Sequence, residues 1–153
     1  MRRSKMGNIA KRIREGMEKA IELSKATGSE CGFTWCEDGT IMPITCGETN
    51  RVVLPACKKS SNEGSFHVHT RKAPISSMDL ISAIALGSKM ECIGYHNGEI
   101  SCITESALKR LSPEVREEIK ATYKQVKDKN FDEIVRSLSK FDQLIRQKIF
   151  YNL

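Results

Sequence analysis

The stretch Ser65-Phe66-His67-Val68-His69-Thr70-Arg71-Lys72-Ala73-Pro74-Ile75-Ser76-Ser77-Met78-Asp79 passes from a strand signal to a helix signal. Alternate side chains of a strand share a face, so His67 and His69 point the same way, about two residue rises apart. Pro74 and the paired serines then open a helix expected from about Ser77 to Leu86, with Ser76 as its N-cap. His67, His69 and Asp79 thereby read as three protein ligands for one metal ion. Two imidazoles and one carboxylate leave the fourth tetrahedral position of Zn²⁺ open, which is the arrangement of a catalytic centre rather than a closed structural one. The chain has three histidines in all, and the third, His96, lies beside an Asn97-Gly98 turn where it is expected to be exposed.

Upstream, Ile9, Ile13, Met17, Ala20, Ile21 and Ser24 recur at helical spacing. They predict an amphipathic helix from about Asn8 to Lys25 that stops at Thr27-Gly28. Cys31 to Cys36 and Ile41 to Cys46 read as strands flanking Glu37-Asp38-Gly39-Thr40, and Arg51 to Ala56 is a third short apolar run. Lys58 to Gly64 is a polar, Ser-rich loop before the histidine strand. Downstream, Met90 to Tyr95 and Glu99 to Thr104 are expected to close the sheet as a hairpin.

Beyond Glu105 only helical signals remain. Ser112-Pro113-Glu114 supplies an N-cap, a proline at the first helical position and an early carboxylate. Val115, Ile119, Thr122, Tyr123 and Val126 form one stripe. Ile134, Leu138, Phe141, Ile145 and Ile149 form another after a break near Asn130. The expected organisation is an α/β (α+β) core over residues 1–104 and a C-terminal helical hairpin extension over residues 105–153. The two stripes are expected to pack on each other and on the sheet, with a homodimer or partner surface as the alternative use.

With 153 residues, 39% hydrophobic and 29% charged, the composition is that of one globular domain. No apolar run approaches the roughly 18 residues of a membrane span. Met1-Arg2-Arg3-Ser4-Lys5 leads into a charged helix pattern, not an apolar signal core. A cytoplasmic protein without a membrane partner is therefore expected. Six cysteines, Cys31, Cys36, Cys46, Cys57, Cys92 and Cys102, contain no CxxC pair. A hairpin pairing Tyr95 with Ile100 and Ile93 with Cys102 puts Cys92 and Cys102 on opposite faces, so no bridge is expected there. The set reads as small buried hydrophobes in a reducing compartment, with a Cys36, Cys46, Cys57 metal site as the alternative.

The net charge of +6 is uneven. Residues 1–25 hold eight Lys and Arg against three Asp and Glu, a net of +5. Residues 26–104 hold six against eight, a net of −2, and residues 105–153 hold eleven against eight, a net of +3. Basic flanks around an acidic middle suit an acidic protein partner or nucleic-acid phosphates, although no nucleic-acid motif accompanies them. A solvated charged face is the commoner explanation of such flanks.

Hydrolysis at such a metal centre needs a general base, and a carboxylate suits that role. Glu30, Glu37 and Glu48 precede the histidines. Glu37 lies in a turn and Glu48 beside Gly47, both expected to be solvated, whereas Glu30 sits at the mouth of the Cys31 to Cys36 strand.

In order, Ser29-Glu30-Cys31-Gly32-Phe33-Thr34 opening a strand, His67-Val68-His69, and Ser76-Ser77-Met78-Asp79 opening a helix resemble the JAMM (MPN-plus, JAB-type) zinc metalloprotease family, whose pattern is a Glu, a distant HxH and an SxxD. The resemblance covers roughly residues 8–104. It implies a mixed β-sheet flanked by helices, with Zn²⁺ held by His67, His69 and Asp79, Glu30 as the catalytic base and Ser76 stabilising the oxyanion. Family members usually carry a proline after the second His, where this chain has Thr70. They also usually place seven residues before the Ser, where this chain has six, Thr70 to Ile75. The Asn50 to Gly64 linker is shorter than the insertions that grip ubiquitin in the larger enzymes, so a compact member is the closer comparison.

His67-Val68-His69-Thr70 is also similar to the HxHT that opens phosphoesterases of the polymerase and histidinol phosphatase family. Those enzymes begin with that strand and draw further histidines from a barrel. Here 66 residues precede His67 and a single histidine follows His69, so the ligand supply argues against that chemistry. The expected function is that of a zinc peptidase or isopeptidase acting on a protein substrate, ubiquitin-like in the family's usual chemistry. The alternative is a non-catalytic JAMM-like interaction module that binds a protein or nucleic acid through its basic helices.

Overall fold

The computed structural model describes residues 2–152, with side chains from residue 7 to 151. The elements run α1 (Arg2–Thr27), β1 (Cys31–Cys36), β2 (Thr45–Cys46), β3 (Asn62–His69), α2 (Ser77–Ala85), β4 (Met90–Tyr95) and β5 (Ile100–Ile103). Helices α3 (Glu105–Leu108), α4 (Pro113–Val126), α5 (Phe131–Leu138) and α6 (Asp142–Lys148) follow, with a 3₁₀ turn at Ser139–Phe141. The five strands form one mixed sheet in the order β2-β1-β3-β4-β5. The protein is therefore of the α+β class expected from its sequence.

The chain divides into two compact units, Met1–Ala73 with Cys92–Cys102, and Pro74–Glu91 with Ile103–Leu153. In the first unit α1 packs on β1 and β3. Its buried stripe, Met17, Ala20, Ile21 and Ser24, keeps helical spacing. Gly16 lets the helix approach closely, because a Cβ there would stand 2.9 Å from the Phe33 ring. The helix ends at Gly28, whose φ of 71° is the left-handed conformation of a C-terminal cap. Antiparallel pairing of β1 with β3 sets Phe33 opposite Phe66 and Gly32 opposite His67. Alternation then places Phe33, Phe66 and Val68 on the α1 face and Gly32, His67 and His69 on the other.

The predicted strand from Ile41 to Cys46 is reduced to an Ile41 bridge with Trp35 and the two residues of β2. Pro43 between them has no N–H for a ladder. Arg51 to Ala56 forms no strand. Gly47 turns tightly under it, a Cβ there meeting the Arg51 carbonyl at 2.4 Å, and Val53 is left 73% exposed. Meanwhile β3 begins at Asn62, inside the stretch expected to be a loop.

The cysteine expectation is overturned. Cys31–Cys46, Cys36–Cys57 and Cys92–Cys102 are disulfides and no cysteine is free, which also removes the Cys36, Cys46, Cys57 metal site. The error at Cys92 and Cys102 is one residue of register. The Tyr95 N–H donates to the Glu99 carbonyl and the Gly98 N–H to the Tyr95 carbonyl, and Gly98 has φ 91°. That is a three-residue loop with a bulged glycine, so Tyr95 pairs with Glu99 rather than Ile100. Continuing inward, Cys92 faces Cys102 on the same side of the sheet. A slip of one residue exchanges the faces of every side chain that follows. His96 also departs from expectation, being half-buried with Nε2 2.8 Å from Ser24 Oγ.

In the second unit α2 packs against α4, α5 and α6, and α4 against α5. Leu80, Ile81 and Ile84 of α2, Ile119 and Val126 of α4, and Leu138, Phe141, Ile145 and Ile149 are buried. Each large apolar side chain so buried contributes about 1.5–3 kcal/mol. Ser112 caps α4 by accepting from the Val115 N–H, as its sequence signals require. Asn130 caps α5 by accepting from the Glu133 N–H, which explains the break between the two stripes. The second arm of the expected hairpin is itself broken at Ser139–Phe141. There Ser139 Oγ donates back to the Val135 carbonyl at 2.6 Å, a bond that competes with the helical ladder.

Candidate metal centre

His67 and His69 end β3 on the face away from α1, 7% and 9% exposed. Gly32, directly across from His67, is what allows this. A Cβ at residue 32 would stand 2.1 Å from the Phe66 carbonyl and 3.0 Å from His67 Cβ. The absent side chain leaves room for the imidazole over β1. The two Nε2 atoms face each other at 2.9 Å. Two bare lone pairs at that distance repel, so the gap must hold a proton or a cation.

The tautomer of His69 follows from its other nitrogen. Nδ1 lies 2.7 Å from the Ala73 carbonyl oxygen. A carbonyl only accepts, so Nδ1 carries a proton, and in the neutral imidazole Nε2 then presents a lone pair toward His67. Donation of the second ring N–H to a backbone carbonyl is the usual way a metal-binding imidazole is oriented. The same carbonyl accepts from the Tyr95 hydroxyl at 2.9 Å. The Tyr95 ring also meets the His69 ring edge-on, 6.2 Å between centroids and 87° between planes.

Asp79 and Ser76 are organised by a capping box at the start of α2. Ser76 Oγ accepts from the Asp79 N–H at 3.1 Å, and Asp79 Oδ2 accepts from the Ser76 N–H at 2.9 Å. One local motif thus aims the Asp79 carboxylate and holds the Ser76 hydroxyl, with Ser76 exposed and Asp79 partly exposed. His67, His69 and Asp79 each offer one ligand atom, and these atoms lie within 4.8 Å of one another. The group can hold a metal ion. Two nitrogens on a tetrahedral Zn²⁺ stand about 3.3 Å apart, so the observed 2.9 Å requires the imidazoles to part by only a few tenths of an ångström. The donors suit zinc, copper or iron, so the ion's identity is not set by them alone.

Glu30, half-buried, precedes β1 and is not one of the three grouped ligands. Its N–H donates to the Glu48 carbonyl at 2.7 Å and its carbonyl accepts from the Gly47 N–H at 2.8 Å. It lies two residues before Gly32, where the β1–β3 pairing with His67 ends. Glu37 and Glu48 are exposed, as expected, and Glu48 pairs with Arg51. Gly32, Ala73 and Tyr95 were not among the sequence candidates. A glycine inside a strand pattern signals close backbone approach, but nothing local marks Ala73 or Tyr95, whose roles depend on a loop and a hairpin meeting at one carbonyl.

Among the described residues no helix is long and apolar enough to cross a membrane. Compared with family models, curated proteins and solved structures, the chain matches none.

Proposed function

We propose that this chain is a zinc-dependent peptidase or isopeptidase of the JAMM type, acting on a protein substrate. One observation carries the proposal: two buried imidazoles with Nε2 atoms 2.9 Å apart, one of them held in the metal-facing tautomer, grouped with the Asp79 carboxylate. Bound there, Zn²⁺ supplies Lewis-acid polarisation of a substrate carbonyl and makes water nucleophilic at neutral pH. Glu30, just before β1, takes the proton of the attacking water at its carboxylate and passes it to the leaving amine. Ser76 has its Oγ engaged as an acceptor by the Asp79 N–H, which leaves its own proton to donate to a developing oxyanion. Arg71, Lys72, Ala73 and Pro74, all exposed, border the ligands on the chain between them. The three disulfides favour an oxidising compartment over the expected cytoplasm.

Metal analysis of purified protein beside His67→Ala tests the first step. Stoichiometric zinc in the wild type and its loss in the variant are expected; no zinc in the wild type removes the hydrolase and leaves a non-catalytic binding module. Turnover of a panel of ubiquitin-like fusions, with and without chelator, tests the second. Glu30→Gln is expected to abolish turnover while retaining the metal, and an active Glu30→Gln would take Glu30 out of the mechanism.

A further inference from the structure

We propose that Tyr95 is a positioning residue for the metal centre, acting on His69 through the Ala73 carbonyl. The inference rests on reading the histidine pair as metal ligands, and all of its contacts lie within one compact unit. Ala73 lies in the Thr70 to Ile75 segment that joins the second histidine to Ser76, and its carbonyl is approached by both His69 and the Tyr95 hydroxyl. Tyr95 anchors that carbonyl. Its hydroxyl donates to the Ala73 oxygen at 2.9 Å while His69 Nδ1–H donates at 2.7 Å, so both carbonyl lone pairs are used. Its ring closes edge-on against the imidazole.

Tyr95 is itself fixed from outside the site. It is the last residue of β4, with its N–H bonded to Glu99 and its carbonyl to Gly98, in a hairpin whose strands are cross-linked by Cys92–Cys102. A disulfide-stapled hairpin thus presents one hydroxyl to one loop carbonyl, which orients one ligand. Without the hydroxyl the Ala73 carbonyl is free to turn, and His69 loses the constraint that keeps the proton on Nδ1 and the lone pair on Nε2. Partners of this kind typically account for 10–100-fold in metal affinity.

Tyr95→Phe keeps the ring and removes the hydroxyl. Two measurements are made on the full chain. Long-range proton–nitrogen NMR spectra of the metal-free protein, at a pH where the imidazoles are neutral, report the His69 tautomer. Competition for Zn²⁺ against a chromophoric chelator reports affinity. The wild type is expected to hold His69 with its proton on Nδ1. The variant is expected to show a mixture of tautomers and to bind Zn²⁺ about tenfold more weakly. A wild-type His69 protonated on Nε2 overturns the inference even if the variant fails to fold. So does a folded variant with an unchanged tautomer and an affinity within about twofold of wild type, well short of the expected loss. A wild type that takes up no zinc defeats the hydrolase instead, and the metal-free tautomers of the two proteins still decide the role of Tyr95.

Discussion

His67 and His69 owe their placement to pairing across the sheet, whereas Ser76 and Asp79 owe theirs to a single turn of chain. The histidines face one another because β3 is registered against β1 with Gly32 opposite His67, and because the Ala73 carbonyl turns the His69 ring. The serine and aspartate need only the capping box, whose two hydrogen bonds join residues three apart. One side of the centre is built from long-range contacts and the other from local ones. The difference predicts unequal sensitivity: a small change in the sheet should damage the centre more than loss of a cap.

The largest effect is expected at the sheet. Gly32→Val places carbon where the Phe66 carbonyl already lies 2.1 Å from an ideal Cβ, and backbone cannot yield as a flexible side chain does. Destabilisation above about 3 kcal/mol, at the upper end for overpacking, is expected in chemical denaturation, together with loss of zinc uptake. A stable, zinc-binding Gly32→Val would show that the register is softer than the close contact implies.

Next comes the Cys31–Cys46 bridge, which closes a 15-residue separation and ties β2, and the Gly47–Glu48 segment that grips Glu30, to β1. Replacing both cysteines with serine should cost about 2–3 kcal/mol. Turnover should fall more than metal content, because Glu30 is released while the histidine ladder remains. Intact mass under non-reducing conditions checks the premise, with three bridges expected.

On the local side, Ser76→Ala removes the N-cap of α2 and should cost about 1 kcal/mol in a denaturation midpoint. The tautomer of His69 should not change. If Ser76→Ala disturbs that tautomer, the two sides of the centre are more tightly coupled than their separate construction suggests.

The smallest effect is expected at Asp38, in the β1 hairpin turn. The Thr40 backbone N–H, 2.9 Å from Asp38 Oδ1, holds this exposed carboxyl below the usual carboxylate range. A depressed folded-state pKa contributes stability above the unfolded pKa, lost as pH falls through the folded value. The melting-temperature difference between wild type and Asp38→Asn should therefore shrink on acidification. A difference that stays constant would exclude the charge as its origin.

Legibility in the sequence followed the same division. Strands β1 and β4 fell where their apolar runs lie, and the starts of α2 and α4 where Ser76 and Ser112 cap them, because period and capping act within a few residues. The shared face of His67 and His69 was legible for that reason. Other features were not. Pro43 thinned a strand to a bridge, a bulged Gly98 shifted the β4–β5 register by one, and the cysteines acquired partners that spacing does not reveal.

By itself the sequence determined a strand carrying two histidines on one face and a helix opened by a serine and an aspartate, since both follow from the geometry of single elements. Only the tertiary structure decided that Gly32 clears space for His67, that Ala73 and Tyr95 choose the His69 tautomer, and that all six cysteines are paired. These depend on which strands meet and in what register, and one residue of slip reverses every face.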